Sequence, residues 1–364
     1  MAHNDYFKKA IKLALRAKGK VSPNPLVGAI IVKNNRVVAQ GWHKHCGSDH
    51  AEIAALKKAG SLARGAVIYV TLEPCSHYGR TPPCVDAIIK SGIKKVFIGM
   101  KDPNPLTKGK SIAKFRKAGI KTEIGFLEDD LKGINEPFIK FMTKKMPFVT
   151  AKCAQTIDGK IAAYSGRSKW ITSKESREYA RKLRNDFDAI LVGSNTVLKD
   201  NPGLNASRKS KRLKKIIIDS ALKTPLNAGI FRGTDPSDII IAATKKSRKE
   251  KRGKLEKRGI YLVICPTQKG QVDLKWFLKK LAERDITNIL IEGGSKIIGS
   301  ALRQKLIDKF LIFIAPKIIG DQNALSSVSG LNIRDVNKAV RLHKITINQL
   351  KDDILIEAYV FGNS

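Results

Sequence analysis

Three short pieces of the sequence carry the residue types of a metal-dependent hydrolase: His50-Ala51-Glu52, Glu73-Pro74-Cys75, and Cys84 after Gly79-Arg80-Thr81-Pro82-Pro83. One His and two Cys suit zinc, and three protein ligands leave a fourth position open to water. Zinc lowers the pKa of such a water, so that hydroxide is available at neutral pH. Glu52, two residues after His50, can stand beside that water without ligating the metal. It would take the water's proton and pass it to a departing amine, as general base and then general acid. The chemistry these residues would perform together is hydrolytic deamination of a nitrogen heterocycle.

A closed structural zinc site would need a fourth ligand, which His43, His45, Cys46 or His77 could supply. A spare Glu beside the His and a Pro before the Cys favour the catalytic reading. The other two cysteines, Cys153 and Cys265, fall inside expected strands and are read as core residues. Five cysteines in 364 residues, an odd and sparse set, do not suggest a disulfide framework.

The elements that must position these groups follow from the hydrophobic pattern. From Tyr6 to Lys18, Ala10, Leu13, Ala14 and Ala17 fall on one helical face. Leu26–Val32 and Val37–Trp42 read as a hairpin turning at Asn34-Asn35. Then come a helix at Ala51–Lys58, a strand at Val67–Leu72, a helix at Cys84–Lys90 and a strand at Lys95–Met100. A helix around Ile112–Ala118 and a strand at Lys121–Ile124 complete an α/β sandwich with a mixed sheet. After Lys144-Lys145-Met146-Pro147 a fresh alternation begins. It has strands at Phe148–Ala154, Ala189–Val192, Ile216–Asp219, Ile239–Ala243, Ile260–Cys265, Asn288–Ile291, Phe310–Ala315, Lys344–Ile347 and Ile354–Val360. Its helices are expected at Lys174–Arg184, Leu274–Glu283 and from about Lys296. Two α/β domains are therefore expected, 1–146 and 147–364.

The formal net charge is +37. It is spread along the chain, with 27 Lys and Arg against 11 Asp and Glu before residue 147 and 42 against 21 after it. A distributed excess argues against a nucleic-acid-binding arm, and the runs Arg208–Lys215 and Lys245–Arg258 read as solvated surface. A positive field still favours an anionic, phosphorylated substrate. No apolar run approaches the roughly 20 residues that cross a bilayer. The first 20 residues alternate Lys with apolar residues and read as a helix of a folded domain, not a signal peptide. A cytoplasmic protein is expected.

Zinc-dependent deaminases of nucleobases use a His-x-Glu, then Pro-Cys-x-x-Cys. Here Cys75 and Cys84 are nine positions apart. That longer loop, with Ser22-Pro23-Asn24-Pro25-Leu26-Val27-Gly28 and Asp102-Pro103-Asn104-Pro105, resembles the bifunctional deaminase/reductase family of riboflavin biosynthesis. The resemblance runs nearly end to end. It continues through Lys152-x-Ala154, Asp158-Gly159-Lys160-Ile161-Ala162, Trp170-Ile171-Thr172, Thr196-Val197, Glu292-Gly293-Gly294 and Ala315-Pro316-Lys317.

The resemblance implies a cytidine-deaminase-like α/β/α sandwich followed by a dihydrofolate-reductase-like α/β domain. It implies zinc-dependent deamination of a 2,5-diamino-6-(5-phosphoribosylamino)pyrimidinone, then NADPH-dependent reduction of the ribose of that product to a ribityl chain. Asn24, His43, His77, Arg80, Asp102 and Asn104 would line the deaminase pocket. Ala154, Trp170, Thr196 and Asp200 would contact NADPH, with Gly294, Ser295, Lys296, Ile297, Ile298, Gly299 and Ser300 around its phosphates. Ser168, Arg184, Leu204 and Glu292 would contact the sugar-phosphate substrate, with Ser207 or Arg208 at its phosphate. Independently of the resemblance, Gly293-Gly294-Ser295 joins a strand to a helix, where glycines let amides approach and the helix start favours phosphate. No Gly-x-Gly-x-x-Gly fingerprint is present. Symmetric self-assembly is expected, as is common for such enzymes.

Two departures stand out. The family reads Asp-Asp-Pro-x-Leu-Thr-x-Arg where this chain has Asp200-Asn201-Pro202-Gly203-Leu204-Asn205-Ala206-Ser207-Arg208, so that Ser207 stands at the expected phosphate-binding Arg. The family often has Gly where this chain has Ser111. The competing readings are a deaminase of tRNA or single-stranded nucleic acid, and a zinc deaminase whose second domain is inactive.

Overall fold

The alternating apolar residues between Gly28 and Ile124 build a sheet that is covered on both faces. The computed structural model describes residues 2–78, 82–105, 107–208 and 210–361. Contacts divide the chain into two units, Met1–Met146 and Pro147–Ser364.

The first unit runs α1 (His3–Leu15), β1 (Gly28–Lys33), β2 (Arg36–Trp42), α2 (Ala51–Ala59), β3 (Val67–Leu72), α3 (Cys84–Lys90), β4 (Lys95–Met100), α4 (Lys110–Lys117), β5 (Lys121–Ile124), α5 (Glu128–Ile134) and α6 (Glu136–Lys144). Its five strands lie in the order β2-β1-β3-β4-β5. The β1 junctions are antiparallel and the β3-β4 and β4-β5 junctions parallel, so the sheet is mixed as the sequence suggests. Side chains of a strand alternate between faces. Ile30 and Val32 therefore join Phe7, Ala10 and Leu13 of α1, while Ala29 and Ile31 join Ala51, Ala55, Val85 and Ile88 of α2 and α3. Glycine is required where the layers touch: a Cβ on Gly28 would collide with the Ala10 carbonyl, and one on Gly41 with the Ala51 carbonyl. The second contact seats the start of α2, which carries His50 and Glu52, directly on β2.

Three features of this unit differ from expectation. Helix α1 begins at His3 and ends at Leu15, although Ala17 is still buried in the turn that follows. Helices α5 and α6 are not anticipated; Leu131 and Phe138 bury them against the core. Between them Asn135 is buried, accepting from the Leu26 N–H (2.8 Å) and donating to the Leu26 carbonyl (3.1 Å). This pair of hydrogen bonds fixes the segment that carries Asn24.

The second unit runs β6 (Phe148–Thr156), β7 (Lys160–Ala162), α7 (Lys174–Leu183), β8 (Ala189–Gly193), α8 (Ser194–Asp200), β9 (Lys214–Ile218), β10 (Ile239–Ala243), α9 (Lys249–Lys257), β11 (Tyr261–Ile264), the small hairpin β12 (Thr267–Gln268) and β13 (Gln271–Val272), and α10 (Leu274–Ala282). It continues with β14 (Asn288–Glu292), α11 (Ser295–Arg303), β15 (Lys309–Ala315), β16 (Leu325–Ser326), β17 (Leu342–Leu350) and β18 (Asp353–Val360). Nine strands form one sheet in the order β11-β10-β9-β8-β14-β6-β15-β18-β17. From β11 to β15 every junction is parallel, and β18 and β17 add antiparallel. Strands buried on both faces read as continuous apolar runs, as in Ile239-Ile240-Ile241-Ala242-Ala243, all buried. Cys153 in β6 and Cys265 after β11 are buried core residues, their thiols pushed up to about 12 by burial.

The basic run Lys245–Arg258, expected as solvated surface, contains helix α9, anchored by its single buried residue Leu255. One buried position in nine leaves no amphipathic period to read. Helix α8 is also not anticipated. No helix among the described residues is long and apolar enough to cross a membrane.

Candidate active sites

In the first unit the end of β3 and the starts of two helices converge. His50 caps α2, Cys75 lies just beyond β3, and Cys84 is the first residue of α3. Their ligand atoms lie within 4.8 Å of one another, the one such cluster among the described residues. His50 Nδ1 stands 3.2 Å from Cys84 Sγ and 3.6 Å from Cys75 Sγ. Tetrahedral zinc with bonds of about 2.0 and 2.3 Å holds its N and S ligands about 3.6 Å apart, so the trio fits that ion. The Cys84 N–H donates to Cys75 Sγ at 3.2 Å, a helix-start amide stabilising a thiolate. Cys75 is the thiol that ionises first, drawn down to about 4 chiefly by a bond from the Cys84 thiol; donating that bond, with burial, pushes Cys84 up.

Glu52 lies in the first turn of α2, buried with its carboxyl raised to about 7 by desolvation, the nearby Cys75 adding to the rise. His43 packs edge-on to His50 with ring centroids 5.4 Å apart. Its Nδ1 faces the Asp49 carbonyl (3.1 Å) and its Nε2 the Asn24 Nδ2 (3.1 Å). Donating from Nδ1 leaves Nε2 to accept, so the ring is neutral, in keeping with a pKa that burial lowers. With both ring nitrogens engaged, His43 is not a fourth metal ligand.

On the other flank, His77 Nδ1 meets Thr107 Oγ1 at 3.2 Å, and the Asn104 N–H donates to Asp102 Oδ1 at 2.8 Å. Arg80 lies outside the described residues. Glu73, to which no motif assigns a role, organises this flank with its buried carboxylate. Its Oε2 accepts from the N–H groups of Asp102 (3.2 Å) and Gly109 (3.0 Å), and its Oε1 from Ser111 Oγ (2.8 Å). The departure at Ser111 thus supplies a third donor. The only hint in sequence was an acid directly before Pro74-Cys75.

Burial raises the Asp102 carboxyl to about 6; the Asn104 N–H opposes the rise, Glu73 adds to it and His77 opposes it. An Asp102 that meets substrate as a carboxylate is ionised above that value and protonated below it. The acid limb of kcat/KM is therefore expected to carry a step at about 6 from Asp102, below the one that Glu52 sets at about 7, and D102N to lose that step along with much of its activity. Rates from about pH 5 to about pH 8 check this; an unchanged acid limb in D102N would exclude Asp102 as its source.

In the second unit the candidate cofactor residues gather at the C-terminal ends of parallel strands, where open α/β sheets bind ligands. Ala154 is near the end of β6, and Thr196 and Asp200 are on α8 directly after β8. Gly293 and Gly294, both at φ +83°, link β14 to α11. A Cβ on Gly294 would lie 3.4 Å from Thr196 Oγ1, which shows how closely the turn and α8 approach. Ser295 to Ser300 form the first part of α11, although Ile298 and Gly299 are buried. Ser168 Oγ donates to Asp200 Oδ1 at 3.3 Å. Trp170 is exposed, with the Arg177 guanidinium 4.3 Å over its ring.

Two residues expected at the substrate bind each other. Arg184 Nε donates to Glu292 Oε1 (2.7 Å) and Nη2 to Oε2 (2.9 Å), while Nη1 donates to the Asn205 carbonyl (2.9 Å). The loop after α8 also carries Leu204, buried at φ +53°. Asn185 holds its far end, donating to Ser207 Oγ (2.6 Å) and accepting from the Arg208 N–H (3.0 Å). Asn185 is not among the residues expected here, because no motif marks it.

Comparison with known proteins bears on both units. Residues 147–356 match the model of the RibD C-terminal domain, and residues 1–100 that of the cytidine and deoxycytidylate deaminase zinc-binding region. The chain is 44% identical over 354 residues to the riboflavin biosynthesis protein RibD of Aquifex aeolicus, covering 97% of each. To the Escherichia coli RibD it is 35% identical, covering 90% of this chain and 91% of that one. Among solved structures, Acinetobacter baumannii RibD superposes with a TM-score of 0.88 at 34% identity, covering 99% of each chain. The Thermotoga maritima diaminohydroxyphosphoribosylaminopyrimidine deaminase/5-amino-6-(5-phosphoribosylamino)uracil reductase does so at 0.86 and 37% identity, covering 98% of each.

Proposed function

The chain belongs to the RibD family of bifunctional riboflavin-biosynthesis enzymes, a cytidine-deaminase-like domain joined to a dihydrofolate-reductase-like one, and from that premise we propose the reaction of each part. Residues 1–146 deaminate 2,5-diamino-6-(5-phosphoribosylamino)pyrimidin-4-one. Residues 147–364 then reduce the ribosyl group of the aminouracil product to ribityl with NADPH. A zinc-binding deaminase region and a reductase domain imply zinc and a nicotinamide cofactor in general terms; the choice of NADPH is part of the proposal.

The observation that carries the deaminase assignment is Glu52 buried in the first turn of the helix that His50 caps, with the ligand atoms of His50, Cys75 and Cys84 within 4.8 Å of one another. His50 Nδ1 and the sulfurs of Cys75 and Cys84 would hold zinc, which when bound supplies Lewis acidity for activating water. Glu52 takes a proton from the attacking water at a carboxylate oxygen and returns it to the exocyclic amine. A C–O bond forms, the C–N bond breaks and ammonia leaves. Asn24 and neutral His43 form one polar wall of the pocket, and Asp102 and Asn104 another. In the second unit the hydride is the cofactor's; the protein orients donor and acceptor, with Ala154, Thr196, Asp200 and the Gly294–Ser300 segment toward NADPH. Ser168, Leu204, Ser207 and Arg208, with the Arg184–Glu292 pair, face the ribotide. The substrate is a small phosphorylated molecule and not nucleic acid, the enzyme works in the cytoplasm, and it self-assembles.

The test uses purified zinc-loaded protein given the diaminopyrimidinone ribotide, with ammonia release and NADPH absorbance followed together. Ammonia release followed by NADPH oxidation is the expected result. Ammonia release with no oxidation would overturn the reductase half and favour an inactive second unit.

A further inference from the structure

Lys215 is a cation buried inside the second unit. It lies on β9, 2% exposed, directly before Ile216, Ile217 and Ile218, which are core. Its Nζ donates to the Gly203 carbonyl (2.5 Å), Thr234 Oγ1 (2.6 Å), Asn205 Oδ1 (2.7 Å) and the Ile230 carbonyl (3.3 Å). Among the described residues, these partners include no carboxylate. A buried charge without a counter-charge is costly, and an apolar side chain would fill the same space without that cost.

The partners show what the charge does. Gly203 and Asn205 flank Leu204 in the loop already assigned to the substrate phosphate. Lys215 turns the Gly203 carbonyl and the Asn205 side chain inward, and Arg184 turns the Asn205 carbonyl inward as well. In a trans peptide the N–H points opposite to the carbonyl of the same plane. The Leu204 and Ala206 amides are therefore turned the other way, and neither donates to any partner among the described residues. Leu204 stands in the left-handed region, a conformation that anion-binding backbone concavities use.

We infer that Lys215 is a positioning residue of the reductase: by holding the carbonyls of the 203–205 loop inward, it presents the Leu204 and Ala206 amides to the phosphate of the ribotide. This rests on the proposal that the loop binds substrate. It also accounts for Ser207 standing where the family has Arg, since backbone donors held in place by Lys215 supply what that side chain would have given.

The test uses the full-length, zinc-loaded enzyme with the aminouracil ribotide and NADPH. K215M is expected to raise the reductase KM for the ribotide about 10-fold or more, with kcat changed far less and NADPH affinity kept, because a loop displaced by about 1 Å loses binding geometry. N205A, which removes one of the four partners, is expected to raise KM by a smaller factor in the same direction and serves if K215M does not fold. The dephosphorylated nucleoside should show no such change in KM. K215M or N205A with an unaltered KM, or with kcat and NADPH binding lost together, would overturn the inference. No reduction by the unsubstituted chain would instead overturn the loop assignment on which it rests.

Discussion

E52Q is expected to bind zinc as the unsubstituted chain does and to release ammonia about 10²–10⁴ times more slowly, the contribution typical of a positioned acid/base. The amide has nearly the shape of the carboxyl but cannot accept and return a proton. Glu52 is not one of the three residues whose ligand atoms converge, so metal content should not change. Its burial strengthens the expectation, since little bulk water reaches a buried group to take over its proton transfer. The measurement is ammonia release per zinc atom, with reduction of the pre-formed aminouracil ribotide as the internal standard. An E52Q protein that deaminates at the original rate would sink the proposed mechanism. One that loses both zinc and activity would place Glu52 among the ligands.

The second large effect concerns stability. Arg184 and Glu292 form a bidentate pair with side chains 17% and 9% exposed, and the pair ties α7 to the end of β14. Burial alone would raise the Glu292 carboxyl, but the Arg184 guanidinium holds it below its usual range. Removing one partner of such a pair strands the other, at a cost of about 3–5 kcal/mol. R184M is therefore expected to lower the Tm of the second unit by about 6–20 °C. Replacing both residues with apolar ones of similar volume should recover much of that loss, because the stranded charge goes with its partner. Calorimetry on the single and double variants checks this. An R184M protein that melts with the unsubstituted chain would show that the pair does not hold the fold.

What the sequence made legible follows from how local each signal is. Strands such as Val67–Leu72 and Lys95–Met100 are dense apolar runs between turns, and their observed limits coincide with the expected ones. The His50, Cys75 and Cys84 pattern could be recognised because a helix start and a strand end each present their residues at a fixed offset. Helix α9 could not, since its face toward the protein is a single leucine in a basic run. Lys215 closes a charge run that resembles solvated surface, yet it shares its strand face with buried Ile217. Its partners lie 10 to 19 residues away in loops that no period describes. The Arg184–Glu292 pair spans 108 positions, and only the fold reveals that two residues expected at the substrate first satisfy each other.

The depth of the sulfurs has a further consequence, for chemical durability. Peroxide and electrophiles react with thiolates. Cys153 and Cys265 are buried, with thiols held near pKa 12, and present almost none at neutral pH. Cys75, half-buried and readily ionised, lies at the other extreme. Oxidative injury therefore begins in the first unit, and zinc on that sulfur would shield as well as catalyse. A cell under oxidant stress and short of zinc would lose ammonia release first, while the reduction step, resting on no exposed sulfur, would outlast it.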